Sequence, residues 1–194
     1  MEGGNTPIIV IDVQPAYDKW CGKIMPALTN FLNKSHGPVL CFFNDPEVGG
    51  NVEHEVVDYY LENGIEDDRL NSIDFRPKTY AFFRGWMDAG MERKFIIKAI
   101  RYMVMNDIRD SREITTKEWE KIFTDVGAKD FELDDLLRIV EDEPLFVPDI
   151  SISELKRFSG CYLCGGAKDQ CLSEFRFLLE AFNIRYKLVN SLIY

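Results

Sequence analysis

Two apolar runs stand out near the start of the chain. Pro7-Ile8-Ile9-Val10-Ile11 is β-branched throughout and ends in Asp12, and Val39-Leu40-Cys41-Phe42-Phe43 ends at Asn44-Asp45-Pro46. A run that is apolar at every position predicts a strand covered on both faces, the habit of parallel sheets. Between them, Met25, Leu28, Phe31 and Leu32 recur at helical spacing over Ile24 to Lys34, and Gly37-Pro38 stops that helix. Strand, helix, strand is a βαβ unit, so the pattern predicts an α/β fold with a mostly parallel sheet.

Farther on the pattern is mixed. Val52 to Leu61 reads as helix, and Ile73 to Arg76 leads into a short strand that carries Lys78. Met87 to Met105 is dominated by a helical stripe of Ile96, Ile97, Ile100, Met103 and Val104. Two capping signals follow. Thr115-x-x-Glu118 precedes Trp119, Ile122 and Phe123 and stops near Gly127, and Ser151-x-x-Glu154 precedes a shorter helix. Leu133 to Val140 lies between them as a helix ended by Pro144. The last third returns to α/β grammar. Cys161 to Cys164 is a strand, Gly165 to Gln170 a turn, Cys171 the head of a helix running to about Phe182, and Tyr186 to Val189 a final strand. There are no repeats or low-complexity tracts.

A chain of 194 residues, 46% of them hydrophobic, is read as one globular domain. No apolar run approaches the roughly 20 residues of a membrane span. Met1 to Pro7 lacks the basic and apolar stretches of a signal peptide. The net charge of -10 argues against nucleic-acid binding and against adhesion to anionic membrane. Five cysteines without an export signal set a reduced, cytoplasmic expectation. Cys161-x-x-Cys164 has the spacing of a redox or zinc pair. It sits inside a buried-strand pattern, with no second pair nearby to complete a metal site.

Asp12 and Cys171 each follow a predicted strand, and Lys78 sits on or beside one. Parallel strands bring their carboxyl ends to one edge, where ligands bind. Cys171 heads a helix, whose partial positive charge and unpaired N–H groups favour a thiolate and can receive an oxyanion. Each residue also has a plain structural reading: an inert buried thiol, an acid capping a turn, a solvated lysine. Neither histidine is placed as a base, since His36 adjoins the Gly37-Pro38 breaker and His54 falls in a helix. If Cys171 is a nucleophile, Asp12 is left to accept its proton and Lys78 to stabilise the thiolate.

These residues carry a resemblance to the isochorismatase-like cysteine hydrolases. That family's first strand ends in Asp, a hydrophobic residue and Gln, here Asp12-Val13-Gln14. Its middle motif is a Lys before an aromatic, small and Phe cluster, here Lys78 with Tyr80, Ala81, Phe82 and Phe83. Its third is a Gly some residues ahead of a helix-starting Cys, here Gly165 and Cys171. The resemblance covers residues 7 to 90 and 158 to 190. It implies a Rossmann-like three-layer α/β/α fold with Asp12 as general base, Lys78 as its support and Cys171 as nucleophile. It further implies an oxyanion and substrate site drawn from Gln14, Phe82, Ala167, Lys168 and Gln170, and a homo-oligomer.

Four departures shape the expectation. The stretch from Lys78 to Cys171 is several tens of residues longer than the family's, so residues 93 to 148 read as a helical insertion, either a lid or subunit contact or a passive layer. Lys168 stands where the family commonly has Thr. Asn44-Asp45-Pro46-Glu47 has no His where the metal-binding nicotinamidase branch carries one, so no metal and no cofactor is expected. Tyr194 comes soon after the last strand, without the family's usual terminal helix. The expectation is a metal-independent cysteine hydrolase acting on a C–N bond, amide or carbamoyl, of a small-molecule substrate through a thioester. The alternative is a catalytically silent relative that binds or regulates through its helical insertion. A redox protein using Cys161 and Cys164 is a third reading.

Overall fold

The computed structural model describes residues 4–78, 84–126 and 132–194, the side chains of Arg84 and Val126 excepted. Five strands form one sheet: β1 (Ile8–Ile11), β2 (Val39–Asn44), β3 (Ile73–Lys78), β4 (Cys161–Gly165) and β5 (Tyr186–Ile193). Their order is β3-β2-β1-β4-β5, and every pairing is parallel. The helices are α1 (Asp18–Cys21), α2 (Met25–Asn33), α3 (Glu53–Glu62), α4 (Asp67–Leu70), α5 (Arg84–Asp88), α6 (Arg93–Met105), α7 (Thr116–Val126), α8 (Leu133–Asp142), α9 (Ile152–Arg157) and α10 (Cys171–Ala181).

The apolar runs explain the layering. Strand side chains alternate between faces, so a run apolar at every position needs cover on both. Ile8 and Val10 of β1 pack with Val39, Cys41 and Phe43 against α2 and α3. Ile9 and Ile11 pack with Leu40 and Phe42 against α6 to α10. Right-handed crossovers produce this split. From β1 the chain moves one way through β2 to β3, then returns to build β4 and β5 on the other side of β1, which sends the later helices to the opposite face. The result is the Rossmann-like three-layer α/β/α arrangement with helices inserted between β3 and β4.

Those inserted helices share the core of the sheet. Trp86 and Trp119, both fully buried, meet edge to face at 5.9 Å, and Phe95 stacks on Trp119 at 6.0 Å within the cluster that holds Ile9 and Phe42. Phe131 lies outside the described residues. The acids Asp134, Asp135, Glu141, Asp142 and Glu143 are exposed on and just beyond α8.

Three details differ from the pattern reading. The segment Met87 to Met105 is broken, because Gly90 takes φ 85° and closes a Schellman motif. Its N–H bonds Met87 O and the Met91 N–H bonds Trp86 O, with Trp86 and Met91 both in the core. β5 runs on to Ile193, past the polar Asn190-Ser191 that hides its end, through a register shift against β4. Cys161 and Cys164, three apart on a strand, face opposite layers, so one disulfide or one metal cannot span them.

Candidate active site

Strand order reverses between β1 and β4, and the crevice at such a switch point is where open α/β sheets bind ligands. Asp12 is the first residue past β1. Its φ is 53°, a left-handed conformation that Asp tolerates better than most residues and that costs about 1–2 kcal/mol. The Asp12 N–H bonds Phe42 O at 2.8 Å, and its carbonyl accepts from the Tyr194 hydroxyl at 2.7 Å.

Gly165 and Gly166 bring β4 against this corner. A Cβ on Gly165, whose φ is 93°, would lie 2.2 Å from Ile11 O, and the Gly166 N–H bonds that same carbonyl. Only glycine permits that approach at positive φ. The turn that follows delivers Cys171 to the head of α10.

Lys78 ends β3, two strands away from β1, a lateral distance of about 10 Å. Its long stem crosses the end of β2 and sets Nζ 2.9 Å from Asp12 Oδ2. The two side chains are 5% and 1% exposed, so this is a buried ion pair. The Lys78 ammonium and the Cys171 thiol both come within hydrogen-bonding reach of the Asp12 carboxylate, which places a proton acceptor beside the sulfur. The charges of Asp12, Cys171 and Lys78 act on one another, so the structure brings the three expected residues together.

Burial pulls the Lys78 ammonium down, but the negative charge of Asp12, with Cys171 and Glu174, outweighs it and the net shift is upward. The Cys171 thiol moves the other way from the helix-dipole expectation. Burial and then the Asp12 charge push it well above an ordinary thiol, against a smaller lowering by Lys78. The resting site is therefore a neutral thiol beside a charged carboxylate–ammonium pair.

A pocket of about 320 Å3 opens over Cys171, lined by Tyr17, Trp20, Ala167, Gln170 and Tyr194. Tyr17 meets Trp20 edge to face at 6.1 Å and accepts from Asn44 Nδ2 at 2.7 Å. Trp20 is 52% exposed and forms the outer wall, with Lys19 Nζ 5.5 Å from its ring.

The wider site differs in part from expectation. Ala167 and Gln170 line the pocket, as the resemblance implies. Lys168 is exposed and does not line it; its N–H bonds Tyr194 O at 2.9 Å. Gln14 is fully buried and its amide holds β2: Oε1 accepts from Asn44 N at 2.7 Å, and Nε2 donates to Asn44 O and Asn51 Oδ1, each at 3.1 Å. Phe82 lies outside the described residues. The Gln170 N–H is spent on Ala167 O at 2.9 Å, so it is not an oxyanion donor here. In the first turn of α10, Leu172 N bonds Ala167 O and Glu174 N bonds Gln170 O, while Cys171 and Ser173 stand where helices offer N–H groups without an intrahelical acceptor.

Sequence reasoning passed over Tyr17, Trp20, Tyr194 and Glu174. Glu174, 8% exposed, sits one turn below Cys171 and acts electrostatically on both Lys78 and Cys171. An acid in a helix's first turn reads as an ordinary partner of the dipole, so the sequence carries no separate signal for it. His36 and His54 are both exposed, and His36 lies at the opposite edge of the sheet. Among the described residues no group of three His, Cys, Asp or Glu side chains could hold a metal ion, and no helix is long and apolar enough to cross a membrane. Comparison with family models, with curated proteins and with solved structures finds no match in any of the three.

Proposed function

We propose that this protein is a cysteine hydrolase that cleaves a C–N bond, amide or carbamoyl, of a small molecule. The observation that carries the reading is that Asp12 past the end of β1, Lys78 at the end of β3 and Cys171 at the head of α10 come together at the switch point, with Cys171 opening on the pocket. Asp12 takes the proton of Cys171 as sulfur attacks the carbonyl, then gives it to the departing nitrogen. The C–N bond breaks, a thioester remains, and water hydrolyses it. Lys78 sets its ammonium against the resting Asp12 carboxylate, and the N–H of Cys171 at the helix head receives the oxyanion.

The pocket lining suggests the substrate class. It has three aromatic rings and no charged side chain among the described residues, which suits a neutral acyl group, planar or apolar, over an anionic one. The resemblance to isochorismatase-like hydrolases rests on the same three residues and joins the proposal on that footing.

One observation favours a second reading, a binding protein without turnover. The thiol is pushed up and one expected oxyanion donor is occupied. A screen separates the two: amine or ammonia release from a panel of small neutral amides and carbamoyl compounds by wild type, Cys171→Ala and Asp12→Asn. The hydrolase reading expects turnover with at least one compound and a fall of about 10²-fold or more in both variants. Equal rates in all three proteins, or none in wild type, would favour the binding reading.

A further inference from the structure

Cys171 lies between two cavities. The aromatic pocket meets it on one side. On the other is a chamber of about 20 Å3, bounded by Lys78, Glu174, Phe146, Val147 and Phe175. One water needs about 10–15 Å3 on this scale and two or more polar partners. The chamber has that room, and Lys78 and Glu174 supply an ammonium and a carboxylate. Asp12 does not line it. The remaining walls are apolar and come from α6, from α10 and from the segment between α8 and α9, so the inserted region forms part of the chamber wall.

We propose that this chamber holds the hydrolytic water and that Glu174 is the base that activates it, an inference that rests on the hydrolase reading above. Substrate enters by the aromatic pocket and leaves its acyl group on Cys171. Water sits on the opposite side of the sulfur, with Lys78 and Glu174 around its oxygen. Glu174 takes one proton from the water as its oxygen bonds to the thioester carbonyl carbon. The tetrahedral intermediate collapses, the C–S bond breaks, and the sulfur leaves with the electron pair. The proton returns from Glu174 to sulfur, which restores the resting thiol and releases the carboxylic acid. Glu174 and Asp12 thus divide the two half-reactions around one lysine.

The test uses p-nitrophenyl acetate as an acylating probe, reading the burst of p-nitrophenolate as acylation and the steady phase as deacylation. In Glu174→Gln the steady rate should fall by about 10²-fold while the burst falls far less, and acetylated Cys171 should accumulate on peptide mapping. Glu174→Asp should recover part of the steady rate. Val147→Phe, which fills the chamber and leaves the Glu174 side chain itself unaltered, should also slow the steady phase selectively, and it keeps the test open if Glu174→Gln folds poorly. Slowing of both phases alike, or of neither, would overturn the assignment of Glu174 while leaving Cys171 as the nucleophile. A wild type that gives no burst and no acetyl-Cys171 would instead remove the hydrolase reading on which the inference rests.

Discussion

Lys78→Met isolates the buried ion pair, because Met keeps most of the lysine stem and removes only the charge. At 2.9 Å the attraction between Lys78 and Asp12 is about 6 kcal/mol for an effective dielectric of about 20. Desolvation of the two ions offsets most of it, so the intact pair adds little net stability. Breaking it is costly, because Asp12 at 1% exposure then loses its buried ammonium partner. The loss should be about 3–5 kcal/mol, a fifth or more of the roughly 5–15 kcal/mol typical of a folded domain. With a urea m-value of about 2 kcal/mol/M, the midpoint moves by about 2 M, read by tryptophan fluorescence. The pH dependence follows from the direction of each shift. Lys78 is held above its ordinary value, so in wild type its contribution is complete at neutral pH and fades only as pH rises through the folded-state value. The variant lacks this group, so the deficit should shrink as pH rises through that value. Asp12→Asn should cost less, since Lys78 keeps Glu174 beside it. A Lys78→Met protein within about 1 kcal/mol of wild type at pH 7, or a deficit that does not shrink at high pH, would refute this reasoning.

Two further outcomes are expected. Iodoacetamide should alkylate Cys171 slowly at neutral pH, and more slowly still in Lys78→Met, which removes the positive neighbour. An apparent thiol pKa in wild type below the ordinary value, or one indifferent to Asp12→Asn, would contradict the neutral-thiol site. Gly165→Ala should lower stability by about 3–5 kcal/mol, combining positive-φ strain with a Cβ 2.2 Å from Ile11 O, and a thermal melt unchanged from wild type would rule out that close approach.

The sheet was legible because its strands are buried on both sides. Ile8 to Ile11 and Val39 to Phe43 have no polar position that another structure would explain, and both capping boxes sit where Thr115 and Ser151 mark them. The triad was legible because strand ends converge by topology alone. The rest of the site depends on side-chain traffic that a one-dimensional pattern does not carry. Tyr194 reaches Asp12 where β5 shifts register past Asn190-Ser191, and Tyr17 and Trp20 meet the pocket from a short 3-10 turn and the four-residue α1 after it. Gln14 was assigned to substrate on its motif position, yet its amide is consumed by Asn44 and Asn51, partners from another strand end. Helix-dipole reasoning at Cys171 carries no information on burial or on Asp12, both of which push the thiol up.

The most direct test of the account is to trap the covalent intermediate. Wild type, Cys171→Ala and Asp12→Asn would be mixed with p-nitrophenyl acetate, quenched in acid within the burst phase and mapped by peptide mass spectrometry. The account predicts a hydroxylamine-sensitive acetyl group on the peptide carrying Cys171 in wild type, none there in Cys171→Ala, and slower formation in Asp12→Asn. Acetylation confined to surface lysines, at the same rate in all three proteins, would contradict it.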